Sequence, residues 1–158
     1  MNNNIIKRVC KKLGITQEEL AKQGEKITID LYLKFEDCFT LSEAYGYLLL
    51  INDLIEIAEN DHLFPIPLHN RQNKTKREIF YPNIKFDIRN SLYALNQLFD
   101  FIDLVKQPIK QTDLIKYLGD DIDKEKIKNG LWFLSEYGFL KRWTEKNRVW
   151  LQINKAVR

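Results

Sequence analysis

A chain of 158 residues, 44% hydrophobic and 30% charged, suits one compact domain or two small ones, and that balance excludes a disordered polymer. Its two cysteines, Cys10 and Cys38, are too few for a disulfide framework and form no Cys-x-x-Cys pair, so both are expected to be reduced thiols. The net charge of +3 is unevenly placed: residues 31–105 carry seven basic and eleven acidic side chains, whereas residues 106–158 carry twelve and seven.

Met1 to Asn4 is polar and leads directly into an amphipathic helix over residues 4–12, with Ile5, Val9 and Leu13 along one face. Lacking the apolar stretch of a signal peptide, these residues are not expected to be a secretory leader. The longest apolar run, Ala44 to Ile51 interrupted by Gly46, falls far short of the ~20 residues of a membrane span. A cytoplasmic protein without membrane contact is expected. Gly14 ends the first helix, and Thr16-Gln17-Glu18-Glu19 is a capping box that opens a second helix, to about Gln23. The stretch VCKKLGITQEELAKQ, residues 9–23, resembles the first two helices of phage-repressor-type helix-turn-helix domains. The resemblance stops there: Gly24-Glu25-Lys26 stands where those families turn into a recognition helix. The expected arrangement is a helical hairpin packed on the body of the protein.

Apolar residues at 27, 29, 31, 33 and 35 follow a period of two, which predicts a half-buried strand over Ile27 to Phe35. Thr40-Leu41-Ser42-Glu43 reads as another capping box, opening a helix from Leu41 to about Glu59. That helix is apolar nearly all round, so a second copy of the chain is expected to cover part of it, giving a homodimer. Pro65 and Pro67 exclude helix locally. Asn70 to Arg77 reads as an exposed basic loop, Ile79 to Phe86 as a short edge strand, and Asp87 as the cap of a long helix from Ile88 to about Val105.

Beyond Pro108 the pattern is a short helix from Thr112, taken as its N-cap, to Leu118, closed by Gly119; a turn at Asp120 to Asp123; a longer helix, about Lys124 to Tyr137; Gly138; and a hairpin. The hairpin pairs Phe139–Trp143 with Arg148–Ile153 around a turn at Thr144–Asn147. The residues IKNGLWFLSEYGFLKRW, 127–143, resemble the signature of bacterial winged helix-turn-helix domains, which places that module at about residues 110–154. The expected fold class is therefore α+β and predominantly helical. An N-terminal α/β part with a short sheet, residues 1–86, precedes a winged-helix domain, residues 87–158.

The resemblance implies a DNA-binding protein: a transcriptional regulator or replication accessory factor whose helix 124–137 enters the major groove. Lys124, Lys126 and Lys128 would meet phosphates and Asn129 a base edge. The wing would add Lys141, Arg142, Lys146 and Arg148. Trp132 belongs to the same face, with Phe133 beside it, while Glu125 and Glu136 oppose phosphate. The alternative is a non-enzymatic adaptor that uses Trp132 and Phe133 to bind protein. No catalytic residues, cofactor or metal are expected: His62 and His69 have no third ligand at a familiar spacing, and neither a phosphate-cradling glycine loop nor a nucleophile elbow occurs.

Overall fold

The structure, a computed structural model, describes residues 3–65 and 83–158. These form helices α1 (Asn3–Leu13), α2 (Gln17–Glu36), α3 (Leu41–Asn60), α4 (Asn83–Asp100), α5 (Ile102–Val105), α6 (Gln111–Leu118) and α7 (Lys124–Glu136), with strands β1 (Ile109–Lys110), β2 (Leu140–Glu145) and β3 (Arg148–Ile153). The chain is thus mainly helical, with one small antiparallel sheet. It divides into two compact units, residues 1–37 with 46–86 and residues 38–45 with 87–158. The expected loop at Asn70–Arg77, and the expected strand as far as Pro82, lie outside the described residues.

In the first unit the capping box at Thr16 forms as read. The Glu19 amide donates to the Thr16 hydroxyl at 3.0 Å, and the Thr16 amide donates to the Glu19 carboxylate at 2.9 Å. The helix it opens does not stop at Gln23 but runs on to Glu36, so the expected strand at Ile27–Phe35 is helical. The reason lies in a second pattern. Leu20, Gly24, Thr28, Leu31, Tyr32 and Phe35 recur at intervals of three and four, and all six are buried. Leu33, which the two-residue period placed with the core, is 51% exposed. Polar Thr28 breaks the apolar stripe in the sequence. Its hydroxyl donates to the Gly24 carbonyl one turn back, at 2.7 Å, which makes burial tolerable. Gly24 itself adjoins Phe64, whose ring carbons would lie 2.3 Å from a Cβ at that position. Among the described residues of this unit there is no strand, so the expected N-terminal α/β part is replaced by helices. Arg8 of α1 pairs with Asp53 of α3 at 3.0 Å, and Lys85 pairs with Glu56 at 3.3 Å and with Glu59.

Helix α3 starts as expected at Leu41, but the cap differs from a capping box. Thr40 accepts from the Glu43 amide at 3.1 Å, while the Glu43 carboxylate accepts from the Thr40 hydroxyl rather than from a backbone amide. The remaining first-turn donors are met from 115 residues away. The Leu41 amide donates to the Ala156 carbonyl at 2.8 Å, and the Ser42 amide and hydroxyl donate to the Val157 carbonyl at 3.0 and 2.8 Å. Lys155 adds a bond from its ammonium to the Cys38 carbonyl at 2.6 Å. Along α3, Ala44, Leu48, Ile51, Leu54, Ile55, Ile57 and Ala58 are buried, and among its large apolar side chains only Leu49 reaches 36% exposure. The expected homodimer therefore loses the exposed apolar patch on which it rested.

Helix α4 begins by Asn83, so residues 83–86 are helical rather than extended, and Asp87 sits inside the helix instead of capping it. The long helix expected to reach Val105 breaks at Phe101, where φ is −124° and ψ 29°, and resumes as α5. In α4, Ile88, Leu92 and Leu95 on one side and Ala94 and Leu98 on another are buried, as is Val105 of α5, while Phe99, Phe101 and Ile102 are half-buried. Helix α6 starts at Gln111 with Lys110 at its cap position and no side-chain cap bond, so Thr112 is not the N-cap. Asp123 caps α7, accepting from the Lys126 amide at 3.2 Å. The helix ends at Gly138 (φ 80°), where the Phe139 amide reaches back to the Leu134 carbonyl at 2.9 Å, the closure of a Schellman turn.

Strands β2 and β3 pair in the register Leu140↔Ile153 to Glu145↔Arg148, and β1 adds to the free side of β3 through Ile109↔Leu151, giving the order β1-β3-β2. The turn is two residues, Lys146 and Asn147, both at positive φ (52° and 63°), as a tight hairpin with right-twisted strands demands. Helix α7 crosses α4 so closely that a Cβ on Gly130 would lie 2.2 Å from the Asn90 carbonyl oxygen and 2.7 Å from the Ala94 Cβ. Gly130→Ala must push two helix backbones apart and should cost ~1–3 kcal/mol or more. Gly46→Ala at an exposed position of α3, with nothing within 4 Å of the added methyl, should be neutral or stabilise by ~0.5–1 kcal/mol. Urea unfolding of both variants against wild type measures the contrast.

Candidate nucleic-acid interface

Helix α7 buries Ile127, Gly130, Leu131, Phe133 and Leu134. Phe133 is 3% exposed, its ring 4.8 Å from that of Tyr137, so it is core and not the surface contact expected of it. At 100° per residue, the outward arc of α7 holds Lys128, Trp132, Glu125, Glu136 and Asn129 in angular order, with Lys124 at its edge beside Lys128. Trp132 is 46% exposed; Asn129 is half-buried and the other residues of the arc are exposed.

The three lysines do not act as one set. Lys124 and Lys128 lie one turn apart on the same edge, and the Lys128 ammonium is 3.8 Å from Glu125. Lys126 points to the other side, its ammonium 5.6 Å from the centre of the Tyr93 ring on α4. That tyrosine's hydroxyl in turn accepts from the Asp123 amide at 2.9 Å, so α4 holds the first turn of α7 by two side-chain contacts. Before and within this turn stand Asp120, Asp121, Asp123 and Glu125, all exposed. Four carboxylates at the end that would lead into a groove were visible in the sequence, but only the turn geometry gathers them there.

The hairpin separates its basic residues as well. Strand alternation places Arg142 on the face of Leu140 and Leu151, which are buried, while Lys141 and Arg148 lie on the opposite face. Lys146 occupies the turn. All four are exposed. The Lys141 ammonium lies 5.4 Å from the centre of the Trp143 ring. The sequence reading missed Trp143 and Trp150, a facing pair whose rings are 6.4 Å apart and nearly parallel at 13°. The period-two pattern of β3 contained the signal, since Trp150 alternates with Val149 and Leu151.

The Asp87 and Cys10 side chains depart from their ordinary values. Desolvation in α4 pushes the half-buried Asp87 carboxyl up to about 6. Burial, and secondarily the Glu19 carboxylate, raise the Cys10 thiol. Both cysteines are free. Among the described residues no group of three or more His, Cys, Asp and Glu side chains is placed to hold a metal, and no helix is long and apolar enough to cross a membrane. His62 is exposed, and His69 lies outside the described residues.

No protein-family model, no curated protein and no solved structure matches the chain.

Leu131 is 1% exposed, so Leu131→Ala should cost ~2–5 kcal/mol through lost burial and the cavity left. Asn129→Ala should cost under ~0.5 kcal/mol. Equal denaturation midpoints for the two would refute this placement of α7. Asp87 supplies a pH test. Its folded-state value lies above that of an unfolded aspartate, so its contribution is most favourable below about pH 4 and is lost as pH rises through about 6. Asp87→Asn should therefore be more stable than wild type at pH 7.5, with the advantage shrinking as pH falls toward 4. Thermal unfolding across that range reads the difference.

Proposed function

We propose that the second unit is a winged helix-turn-helix module that binds double-stranded DNA through α7 and the β2–β3 hairpin, serving in transcriptional regulation or as a replication accessory. The observation that carries this reading is the chain path. A helix, α4, leads by way of α5 into strand β1; α6 and α7 follow; then β2 and β3 return, with β3 in the middle of the sheet. That path sets a helix of 13 residues and a two-stranded hairpin in contact, since α7 packs against β2. It supports the fold reading independently of the residue pattern at 127–143. Charge adds support. Lys124 and Lys128 on the outer edge of α7, and Arg142 and Lys146 on the hairpin, are exposed cations at two places where a duplex backbone would pass. Asn129 is the base-reading candidate, and Trp132 lies beside it. No catalytic step is part of this reading.

A second reading has its own support. The carboxylates of Asp120, Asp121, Asp123 and Glu125 oppose phosphate at the leading end of α7, and Trp132, 46% exposed, is a suitable aromatic anchor for a protein partner. In that case the module is an adaptor.

Duplex binding by fluorescence anisotropy at several salt concentrations separates the two. If α7 lies against DNA, Lys124→Glu with Lys128→Glu should weaken binding to any duplex and lower the slope of log affinity against log salt by about two units. Asn129→Ala should weaken specific sites alone, by ~1–3 kcal/mol. No wild-type duplex binding at low salt, or binding that the double reversal leaves intact, overturns the DNA reading.

A further inference from the structure

The sheet has one face that α7 does not use. The register that sends Leu140 and Leu151 into the core sends Lys141, Trp143 and Glu145 of β2, and Arg148, Trp150 and Gln152 of β3, to the opposite side. Lys110 of β1 lies beside Trp150 on that side. The two indoles are nearly parallel, 13° apart, with centres separated by 6.4 Å. An ammonium attends each: Lys141 at 5.4 Å from the Trp143 ring centre and Lys110 at 5.7 Å from that of Trp150. Both indoles are half-buried, so each keeps part of its surface open to solvent. They are not part of the core, which the strands enter from the other face through Leu140 and Leu151.

We propose that this outer face of the sheet is a binding site for single-stranded nucleic acid, with unpaired bases stacking on Trp143 and Trp150 and the phosphodiester backbone running past Lys110, Lys141 and Arg148. Two properties of the face select this occupant. Planar, parallel aromatic surfaces accept nucleobases through their π-faces, and a duplex has none to offer because its bases are already stacked on one another. Three cations against one carboxylate, Glu145, complement a polyanion. The hydrogen-bonding capacity of the face is small, since the Gln152 amide nitrogen already donates to the Lys106 carbonyl at 3.1 Å. Binding is therefore tolerant of sequence. An acidic peptide would satisfy the cations but gains little from two parallel indoles. The site shares the β2–β3 hairpin with the duplex reading but uses its opposite face and turns on other residues: neither α7 nor Arg142 nor Lys146 takes part in it.

The chain has three tryptophans, so in Trp132→Phe the emission comes only from Trp143 and Trp150. Titrating that full-length variant at low salt with an unpaired oligothymidylate of about ten nucleotides should give saturable quenching, because a stacked base quenches an indole. Trp143→Ala and Trp150→Ala should each weaken single-strand affinity by about tenfold, measured by anisotropy. Lys110→Glu, which leaves both indoles in place, should weaken it several-fold, and Trp150→Phe should retain most of the binding. Lys124→Glu with Lys128→Glu should leave the quenching unchanged even where it removes duplex binding, so the two proposals fail separately. Absence of quenching in the folded Trp132→Phe protein overturns the inference. So does quenching equally strong with a duplex of the same length or with polyglutamate.

Discussion

Helix α7 lies where it does because residue 130 has no side chain. At Gly130 the backbone of α7 meets the Asn90 carbonyl of α4 at a distance that no Cβ would permit. Two further contacts, Tyr93 to the Asp123 amide and Lys126 over the Tyr93 ring, hold the first turn of α7 to the same helix. The crossing fixes the rotation of α7 about its own axis. That rotation puts Ile127, Leu131, Phe133 and Leu134 inside, and it leaves Lys128, Trp132, Glu125 and Glu136 facing solvent. Protein interiors are packed as densely as crystals, so the crossing has no slack to absorb a methyl group.

The surface that results is mixed in charge. Lys124 and Lys128 share an edge with Glu125, and three aspartates precede them. Ion pairs at such exposure contribute little to stability, so the Lys128–Glu125 contact is better understood as a local reduction of positive field than as a structural clamp. The stronger concentration of basic side chains around aromatic rings is on the outer face of the sheet. There a single strand alternation, applied to β2 and β3 together, assembles Lys141, Trp143, Arg148 and Trp150 with Lys110 of β1. Residues that form one basic list along the chain thus divide among five places: the edge of α7 with Lys124 and Lys128, its α4 side with Lys126, the hairpin turn with Lys146, the Leu140–Leu151 face of the sheet with Arg142, and the far side of the sheet with Lys141 and Arg148.

The C-terminal tail adds a constraint of a different kind. Helix α3 begins with amides that no local side chain satisfies, and the carbonyls of Ala156 and Val157 accept from them. Unpaired backbone groups in a packed environment are costly, so this long-range pairing fixes where the first turn of α3 can sit within the second unit. Lys155 reinforces it, its ammonium bonded to the Cys38 carbonyl and 4.2 Å from the centre of the Phe139 ring.

Local chemistry alone was enough to locate the capping box at Thr16, the Asp123–Lys124 start of α7, its end at Gly138 and the hairpin that follows. Each of these is set by side-chain-to-backbone bonds or backbone freedom within a few residues. The sequence also placed Leu131 inside and Trp132 outside, because a three-four spacing on a helix admits one assignment. It did not determine the helical state of Ile27 to Phe35. There two periodicities coexist, and β-branched residues favoured the strand. Tertiary packing decided for the helix, because only that arrangement buries Leu31, Tyr32 and Phe35 together with Gly24, and Thr28 can satisfy its own hydroxyl there. It likewise decided that Phe133 is core, that Asp87 is desolvated within α4, and that Lys126 leaves the other lysines for Tyr93. Those outcomes depend on neighbours far away in the chain, and no spacing within a single segment encodes which neighbour arrives.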